Sequence, residues 1–172
     1  MVLTYAEIPY EIVYDEEIIN NKLLEYDWLH LHHEDFTGQY GKFYAGYHTA
    51  DWYIEDVKKN EAMAHKHGFK KVSLLKLAVA KKIKDFVIGG GFLFAMCSAT
   101  DSFDIALAAE GDDICDKIYD GDPADPNAQA KLNFDKCLAF KDFSLKMNPM
   151  EYEYSDIDAT TTRKVPFKSD YF

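Results

Sequence analysis

Cys97 sits in Ala95-Met96-Cys97-Ser98-Ala99, a small-x-Cys-x-small pattern. A nucleophile on a tight strand-to-helix turn needs small flanks, because the backbone passes close to itself there. A thiol just ahead of a helix also meets the positive end of the helix dipole, which favours thiolate over thiol. The plainer reading is a packed cysteine, since cysteine is among the most buried residue types. Far upstream, DWLHLHHED gathers His30, His32, His33, Glu34 and Asp35. A thiol nucleophile needs a base within hydrogen-bond reach and a group that orients the base. His32 or His33 is the candidate base, with Glu34 or Asp35 behind it. The same histidines also read as loop or core residues with satisfied nitrogens. A third chemistry is a metal site, since His30 and His32 share a strand face and a carboxylate could complete the set. No other ligand spacing in the chain matches it, so neither a metal nor a cofactor is expected.

These side chains need elements to hold them. Asp27 to His33 alternates as a strand, with Trp28, His30 and His32 on one side and Leu29, Leu31 and His33 on the other. Phe92 to Met96 is a short apolar run after Gly89, Gly90 and Gly91, as expected of a strand buried on both faces. Thr100, Asp101 or Ser102 can cap a following helix that runs to about Glu110 and stops at Gly111. Between the strands, helices are expected over Ala50 to His67 and over Lys71 to Val87. The second has Leu75, Val79, Ile83 and Phe86 on one face. Its lysines (Lys76, Lys81, Lys82 and Lys84) read as a solvated face or a surface for an acidic partner. Strand, helical crossover and parallel strand make an α/β order with a mainly parallel sheet.

The remaining segments carry weaker signals. Residues 1–8 read as the end of a helix and EIVY (11–14) as a short strand. From Glu34 to Tyr47, Gly38, Gly41 and Gly46 alternate with Phe36, Tyr40, Phe43, Tyr44 and Tyr47. Such a loop is either a lid or binding surface, or a segment that docks its rings on the core. Residues 112–130 are acidic and turn-rich, without the spacing of a calcium loop. Extended segments are expected within Phe134 to Met147, an edge strand over Met150 to Ile157, and weak order from Thr160 to Phe172. The chain divides into a core at 1–111 and an acidic, β-rich extension at 112–172.

Composition narrows the classes. A chain of 172 residues with 48% hydrophobic residues buries a real core. A formal charge of −11 argues against a general nucleic-acid binder. No apolar run approaches a membrane span, and no signal peptide is visible, so the default compartment is the cytoplasm. Cys97, Cys115 and Cys137 are too far apart for a metal knuckle and odd in number, so free thiols are expected.

The stretches DWLHLHHEDFTGQYGKFY, GGGFLFAMCSATDSFDIALAAEG and DGDPADPNAQAKLNF resemble the class I glutamine amidotransferase-like superfamily. They look closest to a bacterial group of larger proteins labelled "asparagine synthetase B". The resemblance implies a flavodoxin-like three-layer sandwich, with Cys97 at the nucleophile position of a Cys-dependent hydrolase or acyl-transfer protein. It also implies an oxyanion hole from the Cys97–Ser98 turn and the Gly38 loop, with Tyr40 near the bound substrate. The synthetase label itself has no residues here: position 2 is Val2, and no S-G-G-x-D-S loop is present. The family's histidine and glutamate follow the nucleophile, whereas the last histidine of this chain is His67. By that comparison the chain looks like an internal fragment lacking a first strand, so the sheet is incomplete. Self-association through an open sheet edge is then expected beside a small-molecule substrate. The alternative is a non-catalytic domain that keeps the fold and binds a ligand or partner.

Overall fold

The apolar period of the middle of the chain sets the architecture. In the computed structural model, residues 2–159 are described, and the tail expectation for Thr160 to Phe172 lies outside them. The element order is α1 (Val2–Tyr5), α2 (Asp15–Ile19), β1 (Trp28–Leu31), α3 (Tyr44–Tyr47), α4 (Asp51–Lys66), α5 (Val72–Ile88), β2 (Phe92–Ala95), α6 (Ala99–Ala108), α7 (Lys117–Asp120) and α8 (Ala128–Lys131). Single 3₁₀ turns lie at Lys22–Glu25, Tyr40–Lys42 and Phe134–Lys136.

α5 is the central helix. Leu75, Val79 and Ile83 are fully buried and Phe86 nearly so, which is the stripe its spacing predicts. It packs against α2, α4 and α6. Its lysines lie at the surface, Lys81 exposed and Lys76, Lys82 and Lys84 half-buried, and each meets a neighbouring segment. Lys76 pairs with Asp15 at 2.6 Å, Lys81 with Glu110 at 2.7 Å, and Lys82 donates to the Asn21 side chain at 2.6 Å. Lys84 Nζ donates to the Lys136 carbonyl at 2.6 Å. Long stems let these ammonium groups reach over the apolar stripe to neighbouring segments. At the helix end, Gly91 lies under the Phe86 ring: a Cβ there would come within 2.5 Å of it.

β1 and β2 pair in parallel through the α4–α5 crossover, with Trp28 opposite Phe92 and Leu31 opposite Ala95. This pair is the whole sheet among the described residues, so the class is mixed α/β. Helices cover one face, where Leu29 and Leu31 are buried in the core around α5. The other face stays open, with Trp28 63% and Phe92 58% exposed. β2 is therefore not buried on both faces, because a two-stranded sheet with helices on one side leaves every second residue uncovered.

α6 is enclosed instead. Phe103, Ala106 and Leu107 join the main core, while Ile105, Ala108 and Ala109 join a second cluster with Ile114, Ala128, Phe143 and Tyr154 of the C-terminal extension. The extension is not strand-rich. Residues 134–136 form a turn, and the expected strands reduce to one antiparallel bridge, Leu145 to Ser155. Side-chain acceptors have taken the amides a ladder would use. Asp104 accepts from the backbone N–H of Leu138 at 2.7 Å and of Ala139 and Phe140 at 2.8 Å. The Gln129 side chain takes Leu145 N–H and the Asp156 carboxylate takes Ser144 N–H, both at 2.7 Å. The EIVY segment likewise forms no strand. Its Glu11 carboxylate accepts from Lys22 Nζ and the Tyr26 hydroxyl, each at 2.6 Å.

Candidate active site at the ends of the parallel strands

The register of the parallel pair decides which histidine meets the cysteine. Every paired residue of β1 faces one 64 positions later in β2, and the same offset carries past both strand ends to His33 and Cys97. Met96 N–H donates to the Leu31 carbonyl at 3.0 Å, so the pairing persists one residue beyond the strands. His33 Nδ1 then lies 2.9 Å from Cys97 Sγ. That is hydrogen-bond contact, with the thiol donating to a neutral ring or a protonated ring donating to a thiolate.

Cys97 is exposed and has φ +55°, a left-handed backbone that non-glycine residues seldom adopt. It separates β2 from α6, which begins at Ala99 rather than after a cap at Thr100 to Ser102. Ser98 occupies the cap position without a capping bond. Its hydroxyl donates to the Glu34 carbonyl at 3.2 Å, and the Ser102 hydroxyl donates to the same carbonyl at 3.1 Å. The start of α6 is thus fastened to the exit of β1, which fixes the distance between imidazole and thiol.

His32 does not join the pair. It is exposed, with its ring 6.5 Å from that of His33 at 49°. Both histidines lie in the bend that follows β1, and the ring that meets the Cys97 sulfur is that of His33. His30 packs its ring edge-on to Phe94 and lies 3.4 Å from Met96 Sδ. The histidines therefore do not converge on one metal position. The expected carboxylate behind the base also has other work. Asp35 accepts from Thr37 N–H at 2.7 Å, Thr37 Oγ1 at 2.6 Å and Gly41 N–H at 3.1 Å, while the Glu34 side chain is exposed and its backbone carbonyl is what meets the serines. His33 is held by a ring instead, stacked on Phe43 at 5.5 Å and 26°.

The glycine-rich loop divides in two. Residues 36–42 are buried, so this half docks on the core and is no lid. Gly38, expected at an oxyanion hole, has φ +85°, and a Cβ there would lie 2.7 Å from Ser73 N. Close approach to α5 accounts for this glycine. Tyr40 is buried among Tyr53 and Tyr119, and burial raises its phenol above the usual range. Lys42 Nζ donates to the carbonyls of Lys146 at 2.7 Å and Asn148 at 3.0 Å, and burial lowers its ammonium to about 8. The other half of the loop, from Phe43 to Tyr47, reaches the surface beside His33.

Two groups near the site, Trp52 and Tyr152, carry no clear sequence signal. Phe43 and Trp52 line a groove of about 1570 Å³ together with His33 and the open face of the sheet. Tyr152, from the extension, lies 6.0 Å from Phe43. Burial raises its phenol above the usual range. Elsewhere, Asp113, Cys115 and Asp120 hold potential ligand atoms within 4.8 Å of one another. Lys71 already supplies a cation there, 2.5 Å from Asp113 and 3.0 Å from Asp120. Cys115 is buried with Sγ donating to the Thr37 carbonyl at 3.2 Å, and burial pushes its thiol well up. All three cysteines are free. No family model matches this chain, and comparison with curated proteins and with solved structures finds no match for it.

Proposed function

We propose that this chain is a Cys-dependent hydrolase or acyl-transfer domain of the class I glutamine amidotransferase-like type, on a flavodoxin-like plan. Cys97 is the nucleophile and His33 its base. The observation that carries the reading is the 2.9 Å contact between His33 Nδ1 and Cys97 Sγ at a left-handed turn. Strained backbone at an exposed nucleophile, on a turn between strand and helix, is how such residues are presented to a substrate. In the first step His33 takes the thiol proton as sulfur bonds to an acyl carbonyl carbon. Amides at the start of α6 receive the oxyanion, since the first N–H groups of a helix lack intrahelical acceptors. His33 then returns the proton to the leaving amine or alcohol, and water or an amine acceptor releases the acyl group. Phe43 substitutes for a carboxylate in orienting the imidazole.

The test is alkylation of Cys97 by iodoacetamide at neutral pH, read by peptide mass spectrometry. A Cys97 rate far above those of Cys115 and Cys137 supports the dyad. An equal or lower rate for this exposed thiol overturns it.

One observation favours a second reading, a non-catalytic binding domain. The groove beside the open sheet face, at about 1570 Å³, exceeds the ~300–1,000 Å³ usual for small-ligand sites. Ile8, Ile12, Trp28, Phe92 and Phe94 line it. An extended segment from a second copy fits such a space, with the unpaired outer edges of β1 and β2 beside it.

A further inference from the structure

We propose that Phe43, Tyr47, Trp52 and Tyr152 form the substrate-recognition rim of the Cys97–His33 pair, and that it takes an aromatic group attached near the reacting carbonyl. The inference rests on the catalytic reading and names its substrate class: aromatic amides, esters or thioesters. Phe43 is the hub. Its ring stacks with His33 at 5.5 Å and meets Tyr47 at 6.0 Å, Trp52 at 5.8 Å and Tyr152 at 6.0 Å. The rim therefore begins at the base, and His33 links it to the sulfur across 2.9 Å.

Orientation matters as much as distance. Tyr47 and Trp52 stand nearly upright to Phe43, at 84° and 77°, and Tyr152 is tilted at 42°. In such pairs the edge of one ring meets the face of the other, and an edge-to-face or offset guest is the partner that a further exposed ring favours. These rings also stay at the surface, with Tyr47 and Trp52 each 49% exposed and Tyr152 45%. Tyr40, Tyr53 and Tyr119, a short distance behind them, are buried. The rim is thus the uncovered end of an otherwise closed aromatic cluster, and it ends at the nucleophile.

Charge selects further. Glu34 next to the base is exposed, Glu55 and Asp56 share the groove wall with Trp52, and the chain carries a net −11. An anionic substrate is disfavoured at such a mouth. The reaction stays balanced as an acyl transfer: the sulfur–carbon bond forms as the bond to the leaving group breaks, the amine, alcohol or thiol leaves with the proton from His33, and water supplies the hydroxyl of the released acid and the proton that restores the Cys97 thiol.

The experiment compares N-benzyl-2-chloroacetamide with N-methyl-2-chloroacetamide on the intact chain. Cys97 modification is read by peptide mass spectrometry, and each rate is normalised to that of glutathione. The benzyl reagent is expected to react with saturation and an advantage of about tenfold, the size of one well-packed aromatic contact. Trp52→Ala and Tyr152→Ala should each reduce that advantage several-fold, read as the benzyl-to-methyl ratio within each variant. As an arm independent of variants, N-benzylacetamide should protect Cys97 from iodoacetamide while N-methylacetamide does not. Equal normalised rates in the wild type, an advantage that survives in both variants, or no protection overturns the rim. The catalytic reading fails separately, if His33→Ala leaves both absolute rates unchanged. The normalised ratio decides the rim in either case.

Discussion

At the residue scale, His33 rather than His32 meets the Cys97 sulfur. His33→Ala is expected to slow Cys97 alkylation at neutral pH by at least about tenfold, toward the lower end of what a positioned base contributes. His32→Ala should leave the rate within about twofold, because the imidazole in contact with the sulfur is that of His33. Equal effects of the two substitutions would remove the dyad. A second residue sets a pH dependence. Asp101 is buried, its carboxylate 3.1 Å from the Ser155 hydroxyl, and burial raises its pKa from the usual 3.8 to about 6. Below 3.8 both the folded and unfolded chains carry the proton, and burial is unopposed. Between about 4 and 6 the unfolded chain ionises first, so this group's contribution to stability is lost as pH rises through that window. Asp101→Asn should flatten the stability profile there relative to wild type, by on the order of 2 kcal/mol across the window. Urea unfolding of both proteins at pH 4, 5, 6 and 7 reads the difference. Parallel profiles would contradict the assignment.

At the scale of elements, α6 joins the two halves of the chain. One side packs on α5 and the main core, and the other carries the extension that brings Tyr152 to the site. Asp104 is the chief polar fastening, with three backbone amides on one buried carboxylate. Asp104→Ala would leave those amides without their acceptor and is expected to destabilise by about 3 kcal/mol. Its mark should be local. Limited proteolysis of the variant should cut within residues 138–157 before α4 or α5 is touched. Cleavage spread evenly over the chain would mean that the extension is held by apolar contacts alone.

For the whole molecule, the unbalanced sheet is the dominant feature. Helices protect one face of β1 and β2, while Trp28, Phe92 and Phe94 remain exposed on the other. If a second copy covers that face, sedimentation velocity should show a weight-average mass that rises with concentration. Phe94→Lys, at an already exposed position, should return the chain to monomer without loss of thermal stability. A wild-type monomer at every concentration would remove the association. Among the described residues no helix is long and apolar enough to cross a membrane, so this face is not part of a spanning helix.

Local signals determined much of the framework. The period of α5 predicted its buried stripe, alternation in DWLHLHH placed Leu29 and Leu31 inward, and small residues around Cys97 marked the turn ahead of α6. Those properties depend on neighbours three or four positions away, which the sequence displays directly. Other features depended on where distant segments dock. The choice of His33 over His32 came from a strand register spanning 64 positions. The stacking of His33 on Phe43, the pairing of the α5 lysines, and the loss of the C-terminal strands to Asp104 and Gln129 have the same origin. Pairing partners far apart along the chain are selected by packing and by the need to satisfy buried amides, and no local pattern records that competition.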